Sequence, residues 1–555
     1  MNSPAPLNPA IETARAHQRA GRLREAEAAY RQVLARDPDH VDALQGLGTL
    51  AMQAGRADLA LPLFQRVARL STSAPFALFN LASVLRVVGR REEALAQYEL
   101  AASRFPNLPD AHCEYGNMLA EVGRDAEAKA AFDRALSLDP YHARTHYNLG
   151  VSLRNQGRFD AALGHFRAAI GAQPNLAAAH NQIGSTLRDM DRPGEAIPAY
   201  QRAIQLEPRK AAYHNNLALA CQDLLRMGDA LAGFDRALAV DPRYTKGRAF
   251  RALALLLTGD FARGLPDYEY RLQVGDLPPR KVDRPAWNGS DPAGKTILLH
   301  AEQGLGDTIH FARYAPLLAK RGARVVVECQ PPLERLLRSL DGAADVVAKG
   351  NPLPPFDLHR PLPSLPHLFG TRLDTIPSEV PYLQAPPEEV ERFRGRLAPF
   401  EGSFKVGIVW AGAAGHRNDR NRSVPLAMFA PLSAEPGVKL FSLQKGPPAE
   451  QLAGPSAPPV EDLGPELNDF ADTAAAMHHL DLVISVDTSA AHLAGALGRP
   501  VCTLLPFSPD WRWLLDRSDS PWYPTMRLFR QPAIGAWASV FEEVTVELSR
   551  ASRRA

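Results

Sequence analysis

Cysteine is scarce in this chain. The four present, Cys113, Cys221, Cys329 and Cys502, are scattered over 555 residues and form no Cys-x-x-Cys pair. This argues against a disulfide framework and against a zinc knuckle. Long apolar runs are missing as well. The longest candidate, around Leu253 to Leu257, falls far short of the ~20 residues that a membrane helix needs. The first residues, MNSPAPLNPA, hold no basic segment followed by an apolar core, so no secretory leader is expected. Together these absences set a cytoplasmic location as the expectation. An excess of one charge is lacking too. With 63 basic and 61 acidic side chains the net charge is +2, which weighs against nucleic acid or an anionic membrane as the main partner. Lysine supplies only 10 of the basic residues; with the abundant Ala and Pro, this points to genome composition and not to a binding surface. The length allows two or three domains.

What is present is a period. An aromatic stands at Tyr30, Phe64, Tyr98, Phe132, Phe166, Tyr200, Phe234 and Tyr268, always 34 residues apart. Alanine keeps the same step from Ala26 to Ala230. Proline keeps it at Pro38, Pro106, Pro140, Pro174, Pro208 and Pro242, with Thr72 the one break. A period of this length means one helix pair repeated and stacked, a solenoid whose surface holds a peptide or protein. The clearest copy, His146, Leu149, Gly150, Ala162, Phe166, Ala169 and Pro174, resembles the tetratricopeptide repeat. Small residues let the two helices approach, and Gly21, Gly55, Gly89, Gly123, Gly157 and Gly259 fall at the turn between them, where a left-handed backbone favours glycine. Seven full copies are expected over roughly residues 7–244, with a decayed eighth that keeps Gly259 and Tyr268.

Two polar series share the step. His112, His146, His180 and His214 lie a whole repeat apart, too far to share a metal at the ~2.0 Å bonds that zinc needs, so packing is the expected role. Asn80, Asn148 and Asn216, with Gln182 between them, fall on first helices at the face that lines the inner groove of such arrays. A ladder of amides there can hydrogen-bond a peptide backbone without reading its sequence. A consensus packing role fits these amides equally well.

The second half has a different grammar. Residues 273–294 are rich in Pro and Gly and read as a linker. Apolar strand runs then alternate with helical patterns: TILLHA at 296–301, VVVEC at 325–329 and DVVAKG at 345–350, then KVGIVWAG at 405–412, VKLFSLQKG at 438–446, DLVISVDTS at 481–489 and PVCTLLPF at 500–507. Such alternation predicts parallel sheets covered by helices. The domain limits that follow are 1–272 for the repeats, 295–395 for a first Rossmann-like lobe and 396–555 for a second. The cleft is expected at the carboxyl ends of the strands.

Three clusters sit just after strands. Gly304-Leu305-Gly306-Asp307 combines close backbone access with a carboxylate at a helix start, where Asp307 also reads as a plain N-cap. His416 to Ser423 holds Arg417, Arg420 and Arg422, which suit a diphosphate through charge-assisted bonds. Asp487-Thr488-Ser489 opens a small-residue helix whose free N–H groups and dipole favour phosphate, with His492 one turn in.

Together these segments are similar to the ADP-heptose heptosyltransferases and their relatives, which have the two-lobed GT-B fold. The segments that carry the resemblance are AEQGLGDTIHFARY, the WAG…HRNDRNRS stretch and VDTSAAHLAGALGRP. In overall layout, repeats followed by this fold, the chain also resembles the protein O-linked N-acetylglucosamine transferases. The resemblance implies Asp307 as general base. It also implies Gly304, Gly306, Arg422, Lys445, Asp487, Thr488, Ser489 and His492 on the donor diphosphate. Asp472 becomes a candidate nucleoside contact or an ordinary helix-surface residue, and Trp511 and Trp513 line the acceptor side or pack beneath the cleft. Two departures stand out. Ser489 occupies a position that the family usually gives to glycine, and the first lobe is short, so the repeats are expected to complete the acceptor site, with a protein or peptide in place of a lipid-linked sugar.

The expected activity is therefore transfer of a sugar from a nucleoside diphosphate sugar to an acceptor hydroxyl, the acceptor being a protein held by the repeats. The nucleotide sugar is a co-substrate; no separate cofactor and no metal are expected. The alternative is a protein-binding scaffold whose glycosyltransferase half has decayed.

Overall fold

A computed structural model describes residues 7–274, 280, 282–413, 415 and 418–554, with the side chains of the first two helical residues set aside. The described residues form two compact units, Met1–Ala220 and Cys221–Ala555.

The first unit is a row of antiparallel helix pairs running from Leu7–Arg19 to Pro193–Leu206. The repeat aromatics are its core: Tyr30, Phe132, Phe166 and Tyr200 are at most 1% exposed. Each ring lies where the neighbouring helix lacks a side chain. A Cβ on Gly48, Gly116, Gly150 or Gly184 would meet Phe64, Phe132, Phe166 or Tyr200 at 2.9, 2.9, 2.7 and 2.8 Å. The inter-helix glycines from Gly21 to Gly157 have φ between 72° and 82°. Where the period puts no glycine, at Asp191 and Leu225, the backbone keeps the left-handed turn at φ 56° and 55°. Repeat geometry thus overrides local preference at those positions.

The histidine series has a more specific role than packing. Nε2–H of His112, His146, His180 and His214 donates to the carbonyl of Pro106, Pro140, Pro174 and Pro208 at 3.0, 3.0, 3.2 and 2.8 Å. Each histidine closes the proline turn that precedes its own helix. It satisfies the carbonyl of the residue just past the preceding helix's cap. In the second unit Arg248 takes the same slot and donates to the carbonyl of Pro242 at 3.0 Å.

The second unit begins with the last helices of the array: α1 (Met227–Val240), α2 (Thr245–Leu257) and α3 (Phe261–Tyr268). Four strands follow, β1 (Thr296–His300), β2 (Arg324–Cys329), β3 (Ala343–Ala348) and β4 (Leu358–Pro361), with α4 (Leu305–Ala312) after β1. They form a parallel sheet in the order β3-β2-β1-β4. Helix α5 (Pro387–Leu397) leads to six more strands: β5 (Phe404–Val409), β6 (Val438–Ser442), β7 (Val460–Asp462), β8 (Leu482–Val486), β9 (Val501–Leu505) and β10 (Met526–Arg530). These are also all parallel, in the order β10-β9-β8-β5-β6-β7. Among the covering helices are α6 (Phe470–His478), α7 (Ser489–Ala496) and α8 (Trp537–Ser552). Strands β4, β7 and β10 were not foreseen from the sequence.

Compactness and the 34-residue period draw different lines, because α3 is a core element of the second unit. Phe261 stacks on Trp522 at 6.1 Å and meets Trp511 edge-on at 6.0 Å, and Tyr268 meets Trp511 at 5.9 Å. Below it Arg271 grips Glu302 with two bonds of 3.0 and 2.8 Å and donates to Ser364 at 2.8 Å. The last repeat and the first sheet are one packed body.

Replacing Gly150 by valine forces the added carbons into the Phe166 ring, whose neighbours leave no room. A loss of ~2 kcal/mol is expected, measured as a lower urea midpoint for the first unfolding step; an unchanged midpoint would show that the ring can move aside.

Candidate functional site

In the second sheet the strand order reverses between β5 and β8, and the crevice outside their carboxyl ends is where open α/β sheets bind ligands. Both lobe-two clusters emerge there. The chain leaving β5 makes an excursion pinned at its base by Val424 N–H on the Trp410 carbonyl (2.9 Å) and Gly412 N–H on Ser423 Oγ (3.0 Å). Arg422, mostly buried, donates from Nη1 to the Asp487 carbonyl at 2.8 Å and pairs with Asp419 at 3.3 Å. Gly412 lies directly beneath that pair: a Cβ there would fall 2.4 Å from Asp419 Oδ1 and 2.5 Å from Arg422 Nη2, so the two side chains would have to shift. Of the remaining basic cluster, His416 and Arg417 lie outside the described residues. Gln444, buried after β6, ties the crevice floor together: its Oε1 accepts from Trp410 and Ala411 N–H at 3.1 and 2.9 Å. The sequence reading passed over it.

Leaving β8, Asp487 and Thr488 lead into α7, which starts at Ser489. Thr488 does not cap the helix with its side chain; its hydroxyl pairs with Ser485 Oγ at 3.0 Å. The first N–H groups of α7 are therefore not taken by that side chain. Burial and the negative charge of Asp510 push the Asp487 carboxyl up to about 6, against the pull of Arg422 and Arg512.

His492 is buried, stacks on Trp513 at 5.1 Å, and its Nδ1 lies 3.0 Å from the Tyr523 hydroxyl. The same hydroxyl lies 3.1 Å from Nδ1 of His310 on α4, whose Nε2 is buried without a partner. Burial, then the nearby arginines, hold both imidazoles neutral. Buried N–H groups are rarely left unpaired. The arrangement that avoids one has His310 donate to Tyr523 and Tyr523 donate to His492. That puts the His492 proton on Nε2.

The first lobe reaches the same place through the loop after β1. Gly306 lies against α7: a Cβ would come 2.9 Å from His492 Cδ2 and 3.4 Å from Ser489 Cα. Gly304 N–H donates to Asp307 Oδ2 at 2.9 Å, so Asp307 closes its own helix start from within. Its other oxygen, Oδ1, is held by Arg512. Arg512, which the sequence reading passed over, is the residue that ties Asp307 to the second lobe. It is buried, pairs also with Asp510 at 2.8 Å, and lies over the rings of Phe311 and Trp511 at 5.0 and 4.8 Å. The turn that carries it is strained and clamped. Leu514 has φ 53°, and Arg530 donates to the carbonyls of Trp513, Leu514 and Arg517 at 2.6, 3.0 and 2.9 Å.

The structure does not bring every candidate together here. Lys445 lies beyond β6 and donates to the Gly464 carbonyl at 2.8 Å. Asp472 is not on a helix surface: it is 1% exposed on α6, accepts from Asn468 N–H at 2.8 Å and pairs with Arg392 of α5 at 2.8 Å. Its two guanidinium neighbours and the Asn468 bonds outweigh burial and hold its carboxyl below the ordinary range. Trp511 and Trp513 are 3% and 0% exposed, which is the packing role. In the first unit the amides Asn80, Asn148, Gln182 and Asn216 are half-buried. Asn216 donates to Asn181 at 2.9 Å and Gln182 accepts from Arg154 at 3.3 Å, so part of the ladder is engaged with its own neighbours. Among the described residues no cluster of three or more His, Cys, Asp or Glu is arranged to hold a metal ion, and no helix is long and apolar enough to cross a membrane.

Comparison with known proteins agrees with this division. Residues 11–75, 79–143 and 119–177 match the tetratricopeptide repeat family, as do residues 177–210. Residues 448–520 match Glycosyltransferase family 9 (heptosyltransferase). The chain thus carries tetratricopeptide repeats in its first half and, in its α/β half, a segment that matches glycosyltransferase family 9. That segment contains Asp487, Thr488, Ser489, His492 and Arg512; Asp307 and Arg422 lie outside it. The chain is 27% identical over 328 residues to Protein FlbA of Caulobacter vibrioides, an alignment covering 54% of this chain and 54% of that protein. The chain therefore spans about half the length of that curated relative. Among solved structures, a tetratricopeptide repeat protein from Parabacteroides merdae is 17% identical, covering 45% of this chain and 98% of its own at a TM-score of 0.39. YrrB, a TPR protein with an unusual peptide-binding site, is 23% identical, covering 34% and 98% at 0.27.

The raised Asp487 carboxyl has a consequence for stability. The fold favours its neutral form, so the stability is fully present below the unfolded value of 3.8 and is lost as pH rises through about 6. Asp487→Asn should leave stability unchanged near pH 4 and raise it by ~2 kcal/mol near pH 7.5. Urea unfolding of both proteins at the two pH values checks this; a gap that does not widen with pH would remove the assignment.

Proposed function

We propose that the α/β half is a GT-B glycosyltransferase that moves a sugar from a nucleoside diphosphate sugar to an acceptor hydroxyl. The observation that carries the reading is the meeting, outside one pair of adjacent strands, of a fixed arginine, a helix start without a side-chain cap from Thr488, and a neutral histidine. Arg422, the first N–H groups of α7 and Nε2–H of His492 are the donors that a diphosphate needs, aimed before it arrives. Asp307 is the base. As the anomeric carbon leaves the diphosphate oxygen, the acceptor oxygen bonds to that carbon and its proton passes to the carboxylate. The charge that develops on the leaving diphosphate is met by the helix dipole and the guanidinium. A nucleotide sugar is the co-substrate, and a protein or peptide selected by the repeats is the acceptor. Neither a metal nor a further cofactor has a part in this scheme.

Binding of ADP, UDP and GDP, measured by calorimetry, tests the donor site. One of the three should bind, and Arg422→Ala and His492→Ala should each weaken it at least tenfold, since each removes a charge-assisted or buried hydrogen bond. Binding that both variants retain would move the site elsewhere.

A second reading has one observation in its favour. Both oxygens of Asp307 are engaged, by Gly304 and by Arg512, as suits a structural carboxylate in a scaffold whose catalytic half has decayed. Asp307→Asn separates the two. In the enzyme it abolishes sugar transfer and leaves nucleotide binding within about twofold. In the scaffold there is no transfer to lose.

A further inference from the structure

We infer that Arg512 is a positioning residue gated by the donor: it holds Asp307 until the diphosphate enters, then turns to the diphosphate and releases Asp307 to accept the proton. The inference rests on the glycosyl-transfer reading and supplies the step that reading lacks. Both oxygens of Asp307 are already engaged, one by the Gly304 amide and one by the Arg512 guanidinium, whereas a general base needs an oxygen open to the acceptor hydroxyl. Asp307 needs something to remove one of the two.

Three features of the site point to Arg512. The first is its spare bonding capacity. A guanidinium has five N–H donors; Arg512 uses Nη2 on Asp307 and Nη1 on Asp510, and its Nε is buried without a partner. The second is location. The next residue, Trp513, stacks on His492, and the positive charge of Arg512 is, after burial, the strongest influence holding that imidazole neutral. Arg512 therefore stands between the base and the diphosphate donors. The third is support. Its turn is held in a left-handed conformation at Leu514 and clamped by Arg530, and Phe311 and Trp511 form a flat bed for the guanidinium. Such a bed lets the planar group pivot without losing its stacking.

The balance of the step is simple. The bond between the anomeric carbon and the diphosphate oxygen breaks, and its electron pair stays on that oxygen, where Arg512 has arrived. The acceptor oxygen bonds to the anomeric carbon and gives its proton to Asp307 Oδ1, the atom Arg512 has left. One guanidinium thus couples leaving-group charge to base availability, so the base is released only where a donor is bound.

A carboxylate that loses its guanidinium partner takes up a proton more readily, so the transfer of Arg512 is visible as proton uptake on binding. The measurement is calorimetry of the full chain with ADP, UDP and GDP near pH 5.5, in two buffers of different ionisation enthalpy, on the wild type, Asp307→Asn, Arg512→Gln and Arg512→Lys. The wild type should take up more protons than Asp307→Asn. Arg512→Gln should match Asp307→Asn in protons and bind about tenfold more weakly. Arg512→Lys, which keeps a charge in the buried site, should restore part of both and serves if the glutamine variant fails to fold. Equal uptake by wild type and Asp307→Asn, or uptake that survives in Arg512→Gln, overturns the inference while the donor site stands. No binding of any nucleotide to the wild type overturns the donor site and the inference with it.

Discussion

Two helices begin almost against one another. At Gly306 the start of α4 comes so near the start of α7 that one added carbon would touch His492. Two positive helix ends brought together repel unless negative charge lies between or beside them. The carboxylates of Asp307, Asp487 and Asp510 and the counter-charges of Arg422 and Arg512 are arranged around that meeting point. Most of what makes the region a candidate site follows from this one approach: the need for glycine, the buried neutral histidines, and the balance of carboxylates and guanidiniums around them.

The approach is held in place by aromatic packing. Trp511, Trp513, Trp522 and Tyr523 come from one short stretch between β9 and β10, and they reach α3, α4 and α7 at once. Arg313 completes the join, donating to the Trp522 carbonyl at 2.6 Å and the Tyr382 hydroxyl at 3.1 Å. The two sheets are therefore tied by rigid, well-packed side chains carried on this one connection.

How far the sequence could be read depended on the distance over which each feature is encoded. The repeats were legible because helix period, turn glycine and packing aromatic all lie within one copy. Most strands were legible because they are continuous apolar runs. LHRP, VED and MRLFR were not, since β4, β7 and β10 are sheet edges whose polar residues break the run. Arg512 was invisible for another reason: its partner Asp307 is 205 residues away, and a lone arginine in WRW carries no local sign of it. Asp472 read as a nucleoside contact or a helix-surface residue because Arg335 and Arg392, which make its burial tolerable, lie in distant segments. The histidine series shows the opposite case. Its period was obvious, and only geometry revealed that each ring serves a carbonyl six residues back.

The join between the last repeat and the α/β half bears on how such a chain can change over generations. Phe261, Tyr268 and Arg271 are the residues of that repeat embedded in the first sheet and the tryptophan cluster. Four of the copies ahead of it close their turn with a histidine, and four seat their ring over a glycine of the same copy. Whole copies can be gained or lost there by duplication or deletion with the terminal copy kept as it is. Array length is thus a free variable and terminal identity is not, so the length of the repeat surface can change while the packing beside Asp307 is inherited intact.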